Sequence, residues 1–447
     1  MTTRRILFAL PILVVLSLFI ETPPPLGETG VMGIRPALAQ RTRRDGDKRQ
    51  RKTRTVSSLR QPIYDKISKA QEKLEKPDER AEGIEDLREL LDSKLTDYEA
   101  GIVHQIFGQI YIDQAKYREA IGEFAKILTL EKVPESLTIT SLQALAQLYL
   151  ITEQYQKSIE YMNKWLAYQE NPGPTPYSFL AQAYYGLEDY RNIIVNAQKA
   201  IDIAREQGLE VKENWWLLLR LAYFELGDMK KVAEILETLA VNYDKPEYWL
   251  QLAGVYSELG DEKKQLAAME IAYRRGYVTT ENNLINLAQL YLYHNVPIKA
   301  AWALEKGMKD GIIKPSGKVH ELLGQAYLNA QEMEKAKKPL ELAAEEQDDG
   351  NIWMRVGQVY AELEQWGQAI DPLEKAIASK DLKEPGYAYM LLGQANFYVD
   401  KFEEAKKALR KARGYKYTAK AARQWIAFVN DEVKRRKQLT AYYGGGQ

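Results

Sequence analysis

The chain has 447 residues, 45% hydrophobic and 28% charged, which are the proportions of an ordinary globular protein. It contains no cysteine, which excludes a disulfide framework, a thiolate nucleophile, a cysteine-ligated zinc site and a lipidated N-terminal cysteine. The formal net charge is zero, but the charges are unevenly distributed along the chain.

The N-terminus has the pattern of an export signal. Arg4 and Arg5 precede the apolar stretch Ile6–Ile20, which is shorter than the ~20 residues needed to span a bilayer. An A-x-A cleavage sequence follows at residues 37–39. We therefore predict that residues 1–39 are a signal peptide cleaved after Ala39, with an uncleaved inner-membrane anchor as the alternative. Either way, we expect the rest of the chain to lie outside the cytoplasm, in a bacterial periplasm.

A basic segment follows the predicted signal. Residues 40–60 contain nine Lys and Arg residues against two Asp residues and show no apolar periodicity, which predicts a disordered arm. Three roles compete for this arm: a solvated linker that folds back on the acidic body of the chain, contact of Arg41–Arg60 with anionic lipid headgroups, and nucleic-acid binding. We expect no nucleic acid, because an exported protein would rarely meet any.

Repeated helical hairpins make up most of the remaining chain. The clearest copy is Asn351–Ile377, NIWMRVGQVYAELEQWGQAIDPLEKAI, which predicts two short helices joined by a tight turn. Gly357 permits close approach of the second helix, Tyr360 fills the wedge between the helices, and Ala369 is the small residue on the second helix. Such a hairpin cannot bury its apolar face alone, so its copies must stack.

Ten copies share one register. Aligned on the small residue of the first helix, they fall at positions 71, 108, 146, 181, 220, 253, 288, 324, 357 and 393, with spacings of 33 to 39 residues. The first copy, residues 63–91, is degenerate, as expected of a terminal repeat. The fifth is looser, with Arg220 and Val232 at the two small positions. The pattern W-x₂-[apolar]-G-x₂-Y followed by A-x₃-L-x₂-A resembles that of the tetratricopeptide repeat (TPR) family.

This resemblance implies an all-α fold: a right-handed superhelical solenoid of about ten TPR hairpins over residues 61–437. A last helix is predicted at Tyr417–Lys437, with Trp425, Ile426 and Val429 on one face, and should cap the final repeat. Residues 438–447, which include Gly444–Gly446, are predicted to be frayed.

The resemblance also suggests a binding surface, because the first helix of each repeat lines the concave face in TPR proteins. The residue after the aligned small position is Gln in seven of nine repeats, and a mostly apolar row lies three residues later. A Gln amide both donates and accepts hydrogen bonds, so a row of them could pair with a peptide backbone of any sequence while the apolar row holds side chains. The predicted peptide-binding residues are Gln109, Gln147, Gln182, Tyr185, Phe224, Gln289, Leu292, Gln325, Leu328, Gln358, Gln394 and Phe397. The alternative is that Gln, a good helix former, is only tolerated there or bonds between neighbouring helices.

Catalytic and metal-binding motifs are lacking in the sequence. His104 and His320 occupy the Trp353 position and are predicted to pack, while His294 lies in a turn. None of the three is spaced with another ligand to form a metal site. The Tyr series, from Tyr111 to Tyr360, fits packing between helices better than a cofactor or sugar platform. The chain has no phosphate-binding loop, dinucleotide motif or H-E-x-x-H, so we expect no enzyme activity, no cofactor and no metal.

Residues 62–437 also resemble exported proteobacterial TPR proteins encoded with TonB–ExbB–ExbD systems. The similar blocks are LAQLYLITEQYQKSIEYMNKW at 145–165, ENNLINLAQLY at 281–291 and ARQWIAFV at 422–429. This resemblance implies a periplasmic scaffold that binds a polypeptide segment of an envelope complex with ExbB/TonB-type components. The alternatives are a scaffold for outer-membrane or envelope polysaccharide assembly, and a glycan- or peptidoglycan-acting enzyme. The enzyme would need paired carboxylates of perturbed pKa, for which the sequence offers no constellation.

Overall fold

The computed structural model describes residues 59–444, which form 21 α-helices and no β-strand. The predicted signal peptide, nearly all of the basic arm and residues 445–447 lie outside the described residues. Between residues 59 and 444, no helix combines the length and the apolarity that crossing a membrane requires. The chain divides into two compact units, with unit 1 ending at Tyr243 and unit 2 beginning at Asp244.

The described part of unit 1, residues 59–243, contains ten helices. They are α1 Gln61–Leu74, α2 Arg80–Leu91, α3 Asp97–Asp113, α4 Tyr117–Ile127, α5 Glu135–Ile151, α6 Tyr155–Leu166, α7 Thr175–Gly186, α8 Tyr190–Glu206, α9 Glu213–Glu225 and α10 Met229–Tyr243.

Unit 2 contains the other eleven helices. They are α11 Pro246–Leu259, α12 Glu262–Arg274, α13 Glu281–Tyr293, α14 Pro297–Lys309, α15 Gly317–Asn329, α16 Met333–Gln347, α17 Gly350–Glu362, α18 Trp366–Ala378, α19 Pro385–Tyr398, α20 Phe402–Ala412 and α21 Ala419–Gly444.

Consecutive helices pair as hairpins in both units. The pairs run from α1 with α2 to α9 with α10 in unit 1, and from α11 with α12 to α19 with α20 in unit 2. The first helices of neighbouring hairpins also touch each other. The contacting pairs are α3 with α5, α7 with α9 and α17 with α19. The ten hairpins coincide with the ten predicted repeats, five in each unit, so the predicted all-α fold of stacked TPR hairpins is confirmed.

The small residue of the first helix permits close helix packing, as predicted. A Cβ atom on Gly357 would lie 2.6 Å from two carbon atoms of the Leu373 side chain, and one on Gly324 would lie equally close to Leu340. The residue directly opposite Gly357 is therefore Leu373, while the small Ala369 is fully buried beside the same contact.

Tyrosines of the first helices link neighbouring repeats, which confirms their predicted packing role. The hydroxyl of Tyr360 donates to Glu341, and that of Tyr327 donates to Glu305. In both pairs the glutamate belongs to the second helix of the preceding repeat. Burial, together with the adjacent Glu341 carboxylate, raises the pKa of Tyr360 to about 12.

The turn inside each hairpin has one recurring conformation. From the second repeat to the tenth, the residue seven positions after the aligned small residue has a φ of +55° to +77°. The next residue donates its backbone N–H to the carbonyl at the repeat's Tyr position over 2.8–3.0 Å, which is the Schellman arrangement that ends a helix. Only two of the nine positive-φ residues are glycine; the set is Ala115, Glu153, Glu188, Gly227, Gly260, Asn295, Gln331, Glu364 and Asp400.

An ion pair closes the N-terminal end of unit 1. The Glu99 side chain is fully buried and accepts from the Arg60 side chain at 2.8 and 2.7 Å, from the Arg60 backbone N–H at 3.1 Å and from the Thr96 N–H at 2.9 Å. The Arg60 guanidinium is the main cause that lowers the pKa of Glu99 to about 2. Residue 60, just before α1, is thus tied to α3.

The last helix of unit 2 packs as predicted. Val429 is fully buried in a cluster with Leu409 and Ala412 of α20, and Trp425 and Ile426 pack around this cluster. The helix continues beyond the predicted end at Lys437 to Gly444, because residues 438–443 include no helix-breaking residue. Residues 438–444, which the sequence predicted to be frayed, are therefore helical.

Candidate peptide-binding groove

A groove of about 800 Å³ lies on the first helices of the last two repeats of unit 2. Its walls come from α17, α19, the connection before α19, the first residue of α18 and the start of α21. The lining residues are Asn351, Met354, Arg355, Gln358, Ala361, Glu362, Trp366, Leu382, Lys383, Glu384, Tyr387, Met390, Leu391, Gln394, Tyr417, Thr418 and Ala421.

Helical spacing explains which side chains line this groove. Residues 351, 354, 358 and 361 recur at intervals of 3, 4 and 3 on α17 and therefore share one face. Residues 387, 390 and 394 have the same spacing on α19. Because α17 touches α19, these two faces lie side by side and bring the predicted Gln358 and Gln394 into one groove.

Sequence reasoning missed the residues one and two turns before each glutamine. Asn351 and Met354 precede Gln358 by seven and four residues, and Tyr387 and Met390 precede Gln394 in the same way. Extending the helical face toward the N-terminus of each first helix would have found them, since side chains at i and i−4 share a face.

Asn351 fixes the rim of the groove. Its amide donates to the Asp381 carbonyl at 3.1 Å, and its side-chain oxygen accepts from the Lys383 N–H at 3.1 Å. The Asp381 carboxylate in turn accepts from the Gly350 N–H at 3.2 Å and from the Ser379 hydroxyl. Both hydrogen bonds lower the pKa of Asp381, and the bond from the Ser379 hydroxyl has the larger effect. These bonds hold the connection between α18 and α19 against the start of α17.

Aromatic rings stand at two sides of the groove. Tyr387 and Tyr417 lie 5.1 Å apart between ring centroids, and the Tyr417 hydroxyl accepts from the Gly386 N–H at 3.0 Å. Trp366 stacks on Tyr398 at 4.3 Å. The first pair sits at the N-terminal end of α19 and the second at its C-terminal end, so rings bracket the row of Gln and Met side chains.

Charge in the groove is balanced. Lys383 and Arg355 are its cations, and Glu362 and Glu384 are its anions. Arg355 also pairs with Glu321 at 3.3 Å. A neutral groove that combines amides with methionine and aromatic side chains suits a polypeptide segment: the amides can bond to its backbone and the apolar atoms can contact its side chains.

The other predicted residues lie in varied surroundings. In unit 1, Gln109 donates to Asp113 of its own helix at 2.9 Å, and Gln147 is only 8% exposed. In unit 2, Gln325 donates to Asn329 of its own helix at 2.6 Å, while Gln289 is exposed. The half-buried members are Gln182, Tyr185, Phe224, Leu292 and Leu328.

Phe397 is covered by the last helix. Its ring lies 5.9 Å from Trp425 and 5.1 Å from Phe428, both on α21. It therefore belongs to the contact between α19 and the cap, at the position where earlier repeats carry the apolar row.

The histidines occupy separate environments. His104 is mostly buried and its Nδ1 lies 2.6 Å from Glu123, whereas His294 Nε2 lies 3.1 Å from the Glu262 carbonyl. His320 is half-buried on α15. Across residues 59–444, no group of three His, Asp or Glu side chains is arranged to hold a metal ion.

Comparison with protein families agrees with these hairpins. The tetratricopeptide repeat model matches residues 139–172, over the α5–α6 hairpin, and residues 386–413, over the α19–α20 hairpin. The chain contains tetratricopeptide repeats. No curated protein matches it.

Solved structures also match, at low sequence identity. YrrB, described as a TPR protein with an unusual peptide-binding site, is 16% identical; the match covers 42% of this chain and 95% of YrrB, with a TM-score of 0.35. MamA is 21% identical; the match covers 38% of this chain and 95% of MamA, with a TM-score of 0.30.

Proposed function

We propose that this chain is a non-enzymatic TPR scaffold that holds a polypeptide segment of a partner protein in the groove of unit 2. The observation that carries the proposal is the side-by-side placement of Gln358 and Gln394, each one helical turn after a methionine, Met354 or Met390, in a concavity of about 800 Å³. A volume of this size is typical of binding sites. TPR repeats in general serve protein–protein interaction, which supports a binding role for this groove.

The groove offers two kinds of contact. Gln358 is exposed and Gln394 half-buried, so their amides can reach a bound backbone, each contributing about 0.5–1.5 kcal/mol. Met354, Met390 and Leu391 supply apolar surface that would contribute about 25 cal/mol for each Å² removed from water. Methionine adapts to differently shaped side chains, which favours a partner segment that need not fit one rigid pocket.

We further propose that the protein works in the periplasm and that its partner belongs to a TonB–ExbB–ExbD-type envelope complex. The export pattern of residues 1–39 and the resemblance of residues 62–437 to exported TPR proteins support this location. Contact of the arm residues Arg41–Arg54 with anionic lipid is part of the same proposal, whereas Arg60 is held by Glu99. Mass spectrometry of the purified protein should find a mature N-terminus at Gln40, and recovery of the intact N-terminus from a soluble fraction would contradict export by cleavage.

Crosslinking in cells tests the groove directly. A photoreactive benzoylphenylalanine at Tyr387, which is 46% exposed in the groove, should capture an envelope protein. The same residue at Trp302, which is 56% exposed on α14 of the same unit and outside the groove, is the matched control. The proposal would be contradicted if positions 387 and 302 gave equal amounts of the same crosslinked protein, or if position 387 gave no crosslinked protein. The identity of the captured protein decides whether the partner is an ExbB/TonB-type component.

Amide contacts are tested with the captured partner. Replacing both Gln358 and Gln394 by Ala should weaken binding about 5- to 100-fold, since two hydrogen bonds are lost. Gln368→Ala, an exposed position on α18 outside the groove, is the control and should leave the affinity unchanged. Unchanged binding of the double variant would show that the glutamines are only helix-surface residues.

A further inference from the structure

The C-terminal end of unit 2 is strongly basic. Residues 401–437, which cover α20, the turn after it and most of α21, contain thirteen Lys and Arg residues against four Asp and Glu residues. The rest of unit 2, residues 244–400, is net acidic. The excess of cations is therefore a property of this end, hereafter the basic end, and not of the unit as a whole.

Most cations of the basic end have no carboxylate partner within the described chain. Lys406 pairs with Glu403, and Arg435 and Arg436 share Glu432. The other ten Lys and Arg residues form no ion pair within 4 Å. Those on α21 and the turn before it are all exposed, namely Arg413, Lys416, Lys420, Arg423, Lys434 and Lys437. A folded protein gains little from such uncompensated charge, which repels itself.

Two apolar side chains of α21 share its exposed surface with these cations, and a third lies in the turn before the helix. Phe428, Leu439 and, in the turn, Tyr417 are 52%, 41% and 48% exposed. Phe428 and Leu439 are eleven residues apart, which is close to three full turns, so these two lie on one line along the helix axis. On the helical wheel Arg435 lies beside this line and Lys420 lies about 80° from it, Asp431 and Glu432 also lie near it, and the fully buried Ala422 and Val429 lie on another face.

We infer that the basic end binds an anionic lipid bilayer peripherally, with α21 lying along the headgroups. Exposed Lys and Arg on the same exposed side of a helix as phenylalanine and leucine, with tyrosine at its start, are a combination that an interface between headgroups and acyl chains favours. The ten cations that form no ion pair in the described chain have no carboxylate that fixes their position, which suits a fluid charged surface better than a single acidic partner protein. This site is distinct from the basic arm; it shares Tyr417 with the groove wall but does not require the proposed groove function.

Vesicle flotation at ~0.15 M salt tests the inference. The exported form starting at Gln40 should float with vesicles of phosphatidylcholine mixed with phosphatidylglycerol, and should not float with pure phosphatidylcholine. The eight Lys and Arg residues of 41–54 are replaced by Gln in every protein of the test, so that the arm cannot account for binding. Failure of this arm-neutral protein to float with the anionic vesicles would overturn the inference.

Charge reversal locates the site. Lys416, Lys420, Arg423 and Lys434 together changed to Glu should reduce the vesicle partition coefficient at least about 100-fold, since each cation near an anionic surface is worth about 1 kcal/mol. The matched control reverses four exposed cations elsewhere in unit 2, namely Lys263, Lys309, Lys314 and Lys318. It makes the same change in net charge and should retain binding.

Two further results decide the class of partner. Leu439→Ser should lower the partition coefficient several-fold, because the line of apolar side chains is shortened. Equal losses in the two charge-reversed proteins would show unspecific attraction and overturn the inference. Binding to soluble poly-glutamate without binding to the anionic vesicles would also overturn it and would indicate an acidic protein partner. Circular dichroism verifies that each variant remains folded.

Discussion

Glycine should stabilise the hairpin turns at positions where the chain carries another residue. Glu364, between α17 and α18, has a φ of +56° and an exposed side chain with no hydrogen bond or ion pair within the described residues. A side chain in this left-handed conformation costs about 1–2 kcal/mol, because its Cβ crowds the following carbonyl oxygen. Glycine does not incur that cost, although its freedom in the unfolded chain costs about 0.5–1 kcal/mol. Glu364→Gly should therefore raise the free energy of unfolding of unit 2 by about 0.5–1 kcal/mol.

Two control substitutions in the same unit should have the opposite sign. Gly260 occupies the equivalent turn with a φ of +71°, and a Cβ there would meet no atom within 4 Å. Gly260→Ala should thus lose about 0.5–1 kcal/mol for backbone reasons alone. Glu374→Gly makes the same chemical change as Glu364→Gly at an exposed position inside α18, and should lose about 1 kcal/mol.

Urea denaturation followed by far-ultraviolet circular dichroism measures all three changes. Because stacked repeats need not unfold in one step, midpoints of the transition assigned to unit 2 are compared rather than extrapolated free energies alone. A lower urea midpoint for Glu364→Gly, as expected for Glu374→Gly, would contradict the cost assigned to a side chain in the left-handed conformation. An unchanged midpoint for Gly260→Ala would contradict it as well.

Three other substitutions test packing, charge and the groove rim. Gly357→Ala should lower the urea midpoint of unit 2 by the equivalent of about 1–3 kcal/mol through the clash described above, whereas Gly367→Ala, whose Cβ would meet its nearest neighbour only at 3.9 Å, should not lower it. Glu99 has a folded pKa of about 2 against an ordinary value of 4.5, so its contribution to the stability of unit 1 is present above about pH 4.5 and is lost as the pH falls toward 2. Glu99→Gln should flatten this acid dependence in urea titrations at successive pH values, and an unchanged slope would contradict the assignment. Asn351→Ala should speed amide hydrogen exchange in residues 380–384 without changing exchange in α17. The control is Asn282→Ala, at the equivalent, exposed position of the seventh repeat, which should not speed exchange in residues 380–384.

The repeat pattern was sufficient to predict the hairpins because each one is specified locally. Gly357, Tyr360 and Ala369 lie within a few turns of one another, and their sizes alone require two helices in close contact. The last helix was predictable for the same reason, since Trp425 and Val429 mark one apolar face. The end of this helix at Gly444 was not predicted, although residues 438–443 contain neither Gly nor Pro, the two residue types that most disfavour a helix.

The groove was only partly predictable because its walls come from separate repeats. Helical spacing was enough to place Gln358 and Gln394 on the helix faces that line one groove, but the rim depends on the bonds of Asn351 to a connection about thirty residues later. The burial of Gln147 and the covering of Phe397 by α21 likewise depend on neighbouring helices. The positive-φ turns were not predicted because five of the nine residues are Ala, Glu or Gln, which do not mark this conformation in a sequence as glycine and, less strongly, Asn and Asp do.

The bond between Arg60 and Glu99 has a mechanical consequence. It closes a loop of chain that contains α1 and α2, since the two residues are 39 positions apart. Tension applied to the chain before residue 59 is transmitted through the guanidinium to α3, where the buried carboxylate is anchored, and bypasses the first hairpin. A protein pulled by its N-terminal arm would therefore retain α1 and α2 in place until this one contact gives way.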